Sequence, residues 1–292
     1  MARPLVEQCL DLAWSQWGAL GVSGSGVLVP QHAVDLEAAI AFAPCLEELE
    51  PRLHAEVLDW CSHFARHFTS VSALKQTLSL FDPEHRASFE RFAAIVNAQG
   101  ATKWPTGARP RPFALSGKSV CKIEGSPAVQ LRARKIFGIN ARADILVGLA
   151  LESASTRPRW THVTSFLDLG YTKRNLSDAL VDLQMGGMLA WMRTGNRIVY
   201  TLKKAEPLRS ILAPLPETTG QPWGPRLAIA ASLIEVDRRT QGKSATTRAV
   251  EVRKLFERKR PVLERARIAA PELSIGDPWP ELEAWMEPML RP

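Results

Sequence analysis

The chain of 292 residues has few of the features that mark secreted, membrane-spanning and metal-binding proteins. Its four cysteines are scattered and form no C-x-x-C pair, which argues against a disulfide framework or a cysteine-rich zinc site. No apolar run is long enough for a membrane span, and the N-terminus lacks the apolar core of a signal peptide. We therefore expect a cytoplasmic protein without membrane contact.

Sequence motifs of catalysis are also missing. The chain contains no G-x-S-x-G nucleophile motif, and the G-S-G segment at 24–26 lacks the rest of a phosphate-binding loop. His63 and His67 are four residues apart, but the glutamate of an H-E-x-x-H metal site is absent and Cys61 points elsewhere on the same helix. The sequence predicts a protein that is not an enzyme and holds no cofactor or metal ion.

The charge is distributed unevenly along the chain. Residues 1–100 contain 6 Lys and Arg against 12 Asp and Glu, whereas residues 101–160 contain 11 against 3. A concentrated positive segment is suited to a polyanion with many phosphates. Three of its cations lead into the most patterned part of the chain, and we expect them to bind DNA: Arg132, Arg134 and Lys135.

That patterned part, residues 160–204, predicts two consecutive helices. The first is short and ends at Gly170, after which Thr172 is suited to cap a second helix that runs to about Met185. The apolar residues of the second helix recur at helical spacing on one face, namely Leu176, Ala179, Leu180 and Leu183. A helix at about 140–153 precedes the pair.

A β-hairpin is predicted directly after these helices. Gly186-Gly187 ends the second helix, and two β-type runs at 189–193 and 197–202 flank Gly195-Asn196, a dipeptide typical of a two-residue turn with positive φ. The register pairs residues that we expect on a buried face, Trp191 with Tyr200 and Leu189 with Leu202.

Together these segments resemble the winged helix-turn-helix domain of bacterial transcription regulators of the MarR and ArsR families. The resemblance is carried by FLDLGYT at 166–172, LSDALVDL at 176–183, GGML at 186–189 and VYTL at 199–202. It covers roughly residues 141–204 and implies a recognition helix followed by a wing. Winged helices also pack protein partners, so a purely structural role for the helix remains an alternative.

The resemblance implies two sets of DNA-binding residues. On the recognition helix, Arg174 is suited to guanine and Asn175 to adenine, while Asp178 suits cytosine N4 or a nearby arginine. Two further residues of this helix suit phosphates, Lys173 and Ser177. At the tip of the wing we expect contacts to a minor groove or to phosphates from Arg193, Asn196 and Arg197.

The predicted fold is mainly α, with four parts. They are an all-helical bundle for dimerisation or partner binding at 1–99, a basic Pro/Gly-rich linker at 100–135, the winged helix at 136–206 and a helical extension at 207–292.

We expect the chain to regulate transcription by binding double-stranded DNA, with the helical flanks available for a homodimer or a protein partner. The alternative is an antitoxin-like interaction protein that also represses its own gene, as in winged-helix antitoxins of the AbiEi type, an analogy at the level of the fold alone.

Overall fold

The structure is a computed structural model that describes residues 3–24, 30–100, 102–152, 160–217, 223–273 and 276–292. It is mainly helical, as the sequence predicts, with one small antiparallel sheet. The helices are α1 (Leu5–Ala19), α2 (Leu36–Phe42), α3 (Leu46–Leu49), α4 (Pro51–Phe64), α5 (Val71–Leu78), α6 (Pro83–Gly100), α7 (Val129–Phe137), α8 (Ala141–Glu152), α9 (Lys173–Met185), α10 (Ala205–Leu212), α11 (Trp223–Thr240), α12 (Ala245–Ala266) and α13 (Trp279–Met286). The strands are β1 (Thr161–His162), β2 (Leu189–Thr194) and β3 (Arg197–Leu202).

None of the helices among these residues combines the length and apolar character needed to cross a bilayer.

Helices from both ends of the chain bury one common hydrophobic core. Trp17 of α1 packs edge-to-face on Trp60 of α4, with the ring centroids 5.6 Å apart. Leu233 of α11 and Met286 of α13 are fully buried in the same core. This differs from the predicted division into a bundle at 1–99 and an extension at 207–292, because much of the apolar surface of each flank covers the other flank. We call the helices that share this core, α1 to α6 and α11 to α13, the helical body.

A second core lies in residues 129–212, which we call the central unit. It is built from α7 to α10, the three strands and a 3-10 helix at Val163–Leu169. Its buried side chains come from every one of these elements, as in Ala133, Ile145, Phe166, Leu180, Leu189, Tyr200 and Leu208. The central unit therefore begins and ends several residues outside the predicted winged helix at 136–206.

The sheet has the order β1-β3-β2, with antiparallel pairing throughout. The predicted register is confirmed, since Leu189 pairs with Leu202 and Trp191 with Tyr200. The expectation that both pairs are buried is wrong for Trp191, whose exposed fraction is 51%. On β2 burial thus ends between Leu189 and Trp191, whereas on β3 Tyr200 is still buried.

The basic segment predicted as a linker at 100–135 is packed. Arg111 forms an ion pair with Glu47, and the backbone N–H groups of Gly117 and Ser119 donate to the buried carboxylate of Asp59 at 2.8 and 3.1 Å. From Val129 onward the same segment is helix α7. One cation of this segment, Arg111, is therefore neutralised by an acidic helix of the chain itself.

A buried charge network joins the helical body to the central unit. The side chain of Arg134 on α7 is fully buried and donates to both carboxylate oxygens of Glu37 (2.7 and 3.0 Å) and of Asp144 (2.9 and 2.7 Å). It also donates to the carbonyl of Phe68 at 2.7 Å, so all five of its N–H groups have acceptors. Tyr171 Oη donates to Asp144 Oδ2 at 2.8 Å. Burial opposes the charge of Arg134, but Asp144 and Glu37 hold its pKa well above the usual value.

We predict that Arg134→Met lowers the free energy of unfolding by about 3–5 kcal/mol, because it leaves Glu37 and Asp144 as buried charges without a cation. Urea unfolding measures this loss, with Lys135→Met at the exposed neighbouring position as the matched control. Combining Arg134→Met with Glu37→Gln and Asp144→Asn is expected to recover part of the loss. Equal stability of the Arg134 and Lys135 variants contradicts the structural role of the network.

Candidate nucleic-acid interface

Helix α9 is placed by a capping residue and by glycine. Asn175 N donates to Thr172 Oγ1 at 3.2 Å, which caps the helix as predicted. Gly170 before it adopts a left-handed conformation (φ 75°), and a Cβ there would lie 3.1 Å from the carbonyl oxygen of Ala73. This close approach sets the first turn of α9 against the helical body.

The predicted reading residues lie on the solvent side of α9. The apolar face is buried from Leu176 to Leu183, as the helical spacing predicts. On the other side of the helix four of the predicted residues are exposed, namely Lys173, Arg174, Asn175 and Asp178. Ser177 is half-buried at the edge of this surface.

Two aspartates reduce the positive charge of this helix. Arg174 Nε lies 4.0 Å from Asp178 Oδ2, with both side chains largely exposed, and Asp182 Oδ2 lies 3.5 Å from Arg142 Nη1. Lys173 has no ion-pair partner among the residues that the structure describes. The cation that remains free on α9 is therefore at its N-terminus, where the helix dipole is also positive.

The tip of the hairpin carries the second predicted set. The turn has two residues, as predicted, since Thr194 pairs with Arg197 across Gly195 and Asn196. Gly195 has a φ of 59°, so the left-handed conformation falls on the first turn residue. The side chains of Arg193, Asn196 and Arg197 are all exposed.

His162 shows that the two sets lie near each other. This residue of β1 pairs with Val199 of β3, and its Nδ1 is 2.8 Å from Thr164 Oγ1. Its pKa is lowered first by partial desolvation and then by the positive charges of Arg197 and Lys173. The positive charges at the tip of the hairpin and at the start of α9 therefore both act on this one imidazole.

The sequence pattern did not indicate that His162 lies close to the candidate interface. It lies before the first of the two predicted helices, in a strand of only two residues that hydrophobic alternation cannot reveal.

The three cations of the predicted linker have different roles. Arg134 is buried in the charge network, so assigning it to DNA is wrong. Arg132 donates to the carbonyls of Leu212 and Pro214, each at 2.6 Å, and therefore ties α7 to the end of α10. Lys135 is exposed, with its Nζ 4.9 Å from the ring centroid of Phe68. Of the three, Lys135 alone keeps a side chain that solvent reaches freely.

Within the part of the chain that the structure describes, no group of three or more His, Cys, Asp and Glu side chains is arranged to hold a metal ion.

The chain matches no protein-family model, no curated protein and no solved structure.

We predict that Arg197→Ala and Lys173→Ala each raise the pKa of His162, because each removes a positive charge that disfavours the imidazolium form. A titration of the His162 ring protons by NMR measures the shift. Arg193→Ala is the control, since Arg193 points to the opposite face of the hairpin and its charge does not perturb His162. An unchanged pKa in the Arg197 and Lys173 variants contradicts a shared surface.

Proposed function

We propose that the protein is a non-catalytic regulator of transcription that binds duplex DNA, and that its central unit is a winged helix. The order of elements supports this layout: α8 is followed by β1, the 3-10 helix Val163–Leu169, α9 and the β2–β3 hairpin. The first strand pairs with β3, so the hairpin extends the sheet beside α9. In this layout α9 is the recognition helix and the hairpin is the wing.

The observation that carries the proposal is the pair of exposed cations at the start of α9 and at the hairpin tip, Lys173 and Arg197. Lys173 and Arg197 both act on His162, and neither has an ion-pair partner among the described residues. Cations without carboxylate partners are free to bind phosphates, and each such contact releases counterions from DNA. The N-terminus of α9 adds unsatisfied backbone N–H groups to the same surface.

Base reading is assigned to the exposed side of α9. The side chain of Arg174 is 90% exposed, and its ion pair with Asp178 is a surface pair worth about 0–1 kcal/mol. A bidentate contact with guanine is worth about 1–3 kcal/mol of discrimination, so Arg174 exchanges Asp178 for a base at little cost. Asp178 is then free to accept from cytosine N4, and Asn175 pairs with adenine.

The same charges set the balance between affinity and specificity. The number of phosphate contacts is smaller than the count of cations in the central unit, because Arg134 and Arg142 are paired with carboxylates and Arg132 with backbone carbonyls. We therefore expect modest binding to any duplex and a larger gain on a matched sequence.

We predict that binding to a mixed-sequence duplex weakens as salt rises, with a slope of about −0.9 per phosphate contact in a plot of log K against log salt. Lys173→Ala and Arg197→Ala each reduce affinity and lower this slope by about one. Fluorescence anisotropy of the full chain measures both quantities.

Lys254→Ala is the matched control, since Lys254 is 64% exposed on α12, outside the central unit. Arg174→Ala should reduce affinity in a way that depends on the DNA sequence, which distinguishes base reading from phosphate contact. Equal slopes for the Lys173, Arg197 and Lys254 variants, or binding that salt does not change, overturn the proposal.

A further inference from the structure

A cleft in the helical body brings a thiol and an imidazole into contact. The cleft has a volume of about 140 Å³ and lies where α3, the start of α6 and α11 meet. Cys45 and His85 line it, with Sγ and Nδ1 3.6 Å apart and 40 positions between the two residues in the sequence. At about 10–15 Å³ for each water, the cleft has room for about ten waters, and therefore for a small organic molecule.

Three contacts fix the imidazole of His85. The ring stacks on Phe81, with the ring centroids 4.5 Å apart. Nε2 lies 2.7 Å from the carbonyl oxygen of Ala41, and because a carbonyl can only accept, Nε2 carries the hydrogen. Burial lowers the pKa of His85 to about 4, so the ring is neutral at pH 7. Nδ1 therefore keeps its lone pair and accepts from the thiol of Cys45.

Cys45 differs from the other cysteines in access and in its partner. Cys9 and Cys61 are fully buried, whereas Cys45 and Cys121 are half-buried. The charges that act on the thiol of Cys121 are those of Lys135 and Glu124. Cys45 thus combines access with a base that is placed to take its proton, while Cys121 has the access without the base.

The charges around Cys45 favour a neutral ligand over an anion. Burial raises the pKa of the Cys45 thiol, and the nearby carboxylates of Glu235 and Glu48 raise it further. The thiol is therefore protonated at neutral pH, and it reacts only when a base removes its proton. The carboxylates also disfavour a ligand that carries a negative charge next to the sulfur.

Arg258 is available to stabilise negative charge that develops during a reaction in the cleft. Its side chain is 53% exposed and lines the cleft, with Nη2 3.3 Å from Asp82 Oδ2. Asp82 has two other partners, Ser232 Oγ at 2.6 Å and Lys259 Nζ at 3.2 Å. Because Asp82 keeps these partners, Arg258 can turn to a ligand oxygen without leaving a carboxylate unpaired.

We propose that Cys45 is a site of covalent addition for small, neutral α,β-unsaturated carbonyl compounds, with His85 as the base. This inference lies outside the proposed function and does not depend on it. Sγ forms a bond to the β-carbon, and the electron pair of the C=C bond shifts to the carbonyl oxygen, which becomes an enolate that Arg258 stabilises. The thiol proton passes to His85 Nδ1 and then to the α-carbon. This last step restores the carbonyl group and the neutral imidazole.

The rate of adduct formation on the full chain tests the site. The probe is but-3-en-2-one, and mass spectrometry of the peptides measures the adduct at each cysteine from about pH 6 to about pH 8. We expect Cys45 to react at least about tenfold faster than Cys121. Its rate should be nearly constant with pH, because neutral His85 takes the proton throughout this range. A thiol without a base reacts as thiolate, so its rate rises about tenfold per pH unit.

His85→Gln removes the base and is expected to slow the reaction of Cys45 about 100-fold at neutral pH. The remaining reaction should then rise about tenfold per pH unit, as for any thiol that reacts only as thiolate. His67→Gln is the matched control, since His67 is exposed and lies outside the cleft. Thermal unfolding verifies that both variants fold.

Three outcomes overturn the proposal. The first is a wild-type Cys45 that reacts no faster than Cys121. The second is a wild-type rate at Cys45 that rises about tenfold per pH unit, because the thiol then reacts without a base. The third is a folded His85→Gln variant that reacts as fast as His67→Gln, since the imidazole then serves only in packing. The first two outcomes need the wild type alone, so they decide the proposal even if His85→Gln does not fold.

Discussion

The buried guanidinium of Arg134 is the contact on which the arrangement of the two cores depends. It lies on α7, between the carboxylates of Glu37 in the helical body and Asp144 in the central unit. Tyr171 donates a hydrogen bond to the same Asp144, and it directly precedes Thr172, the residue that caps α9. The network therefore fixes the start of the proposed recognition helix relative to the helical body.

This network also reduces the share of the positive net charge that is available to bind a polyanion. Arg134 neutralises buried carboxylates, Arg132 satisfies backbone carbonyls and Arg111 pairs with Glu47, so part of the basic segment stabilises the chain itself. The positive field available to a polyanion comes from the cations that stay exposed on the rest of this segment and on the central unit. Under the proposed function, sequence choice depends on α9 and on the shape of the DNA more than on charge.

The central unit was predictable because local chemistry determines it. Gly170 and Gly195 supply the positive φ that the two turns need, and the side chain of Thr172 caps α9, so these helix ends and the hairpin register could be predicted from sequence. Contacts between residues that are distant in the sequence could not be predicted in this way. Nothing in the pattern around Arg134 distinguishes a buried ion pair from a phosphate contact, and the exposure of Trp191 depends on where the core ends. The shared core of the two flanks depends likewise on contacts between distant segments.

The central claim is that DNA contacts the start of α9 and the hairpin tip, and not the basic segment before them. Hydrogen exchange of the full chain, with and without a mixed-sequence duplex, tests it directly. We expect slower exchange at 172–178 and 190–198 when DNA is bound, with exchange at 129–137 unchanged, because α7 is already fixed by its buried contacts. Protection at 129–137 without any at 172–178 and 190–198 would contradict it.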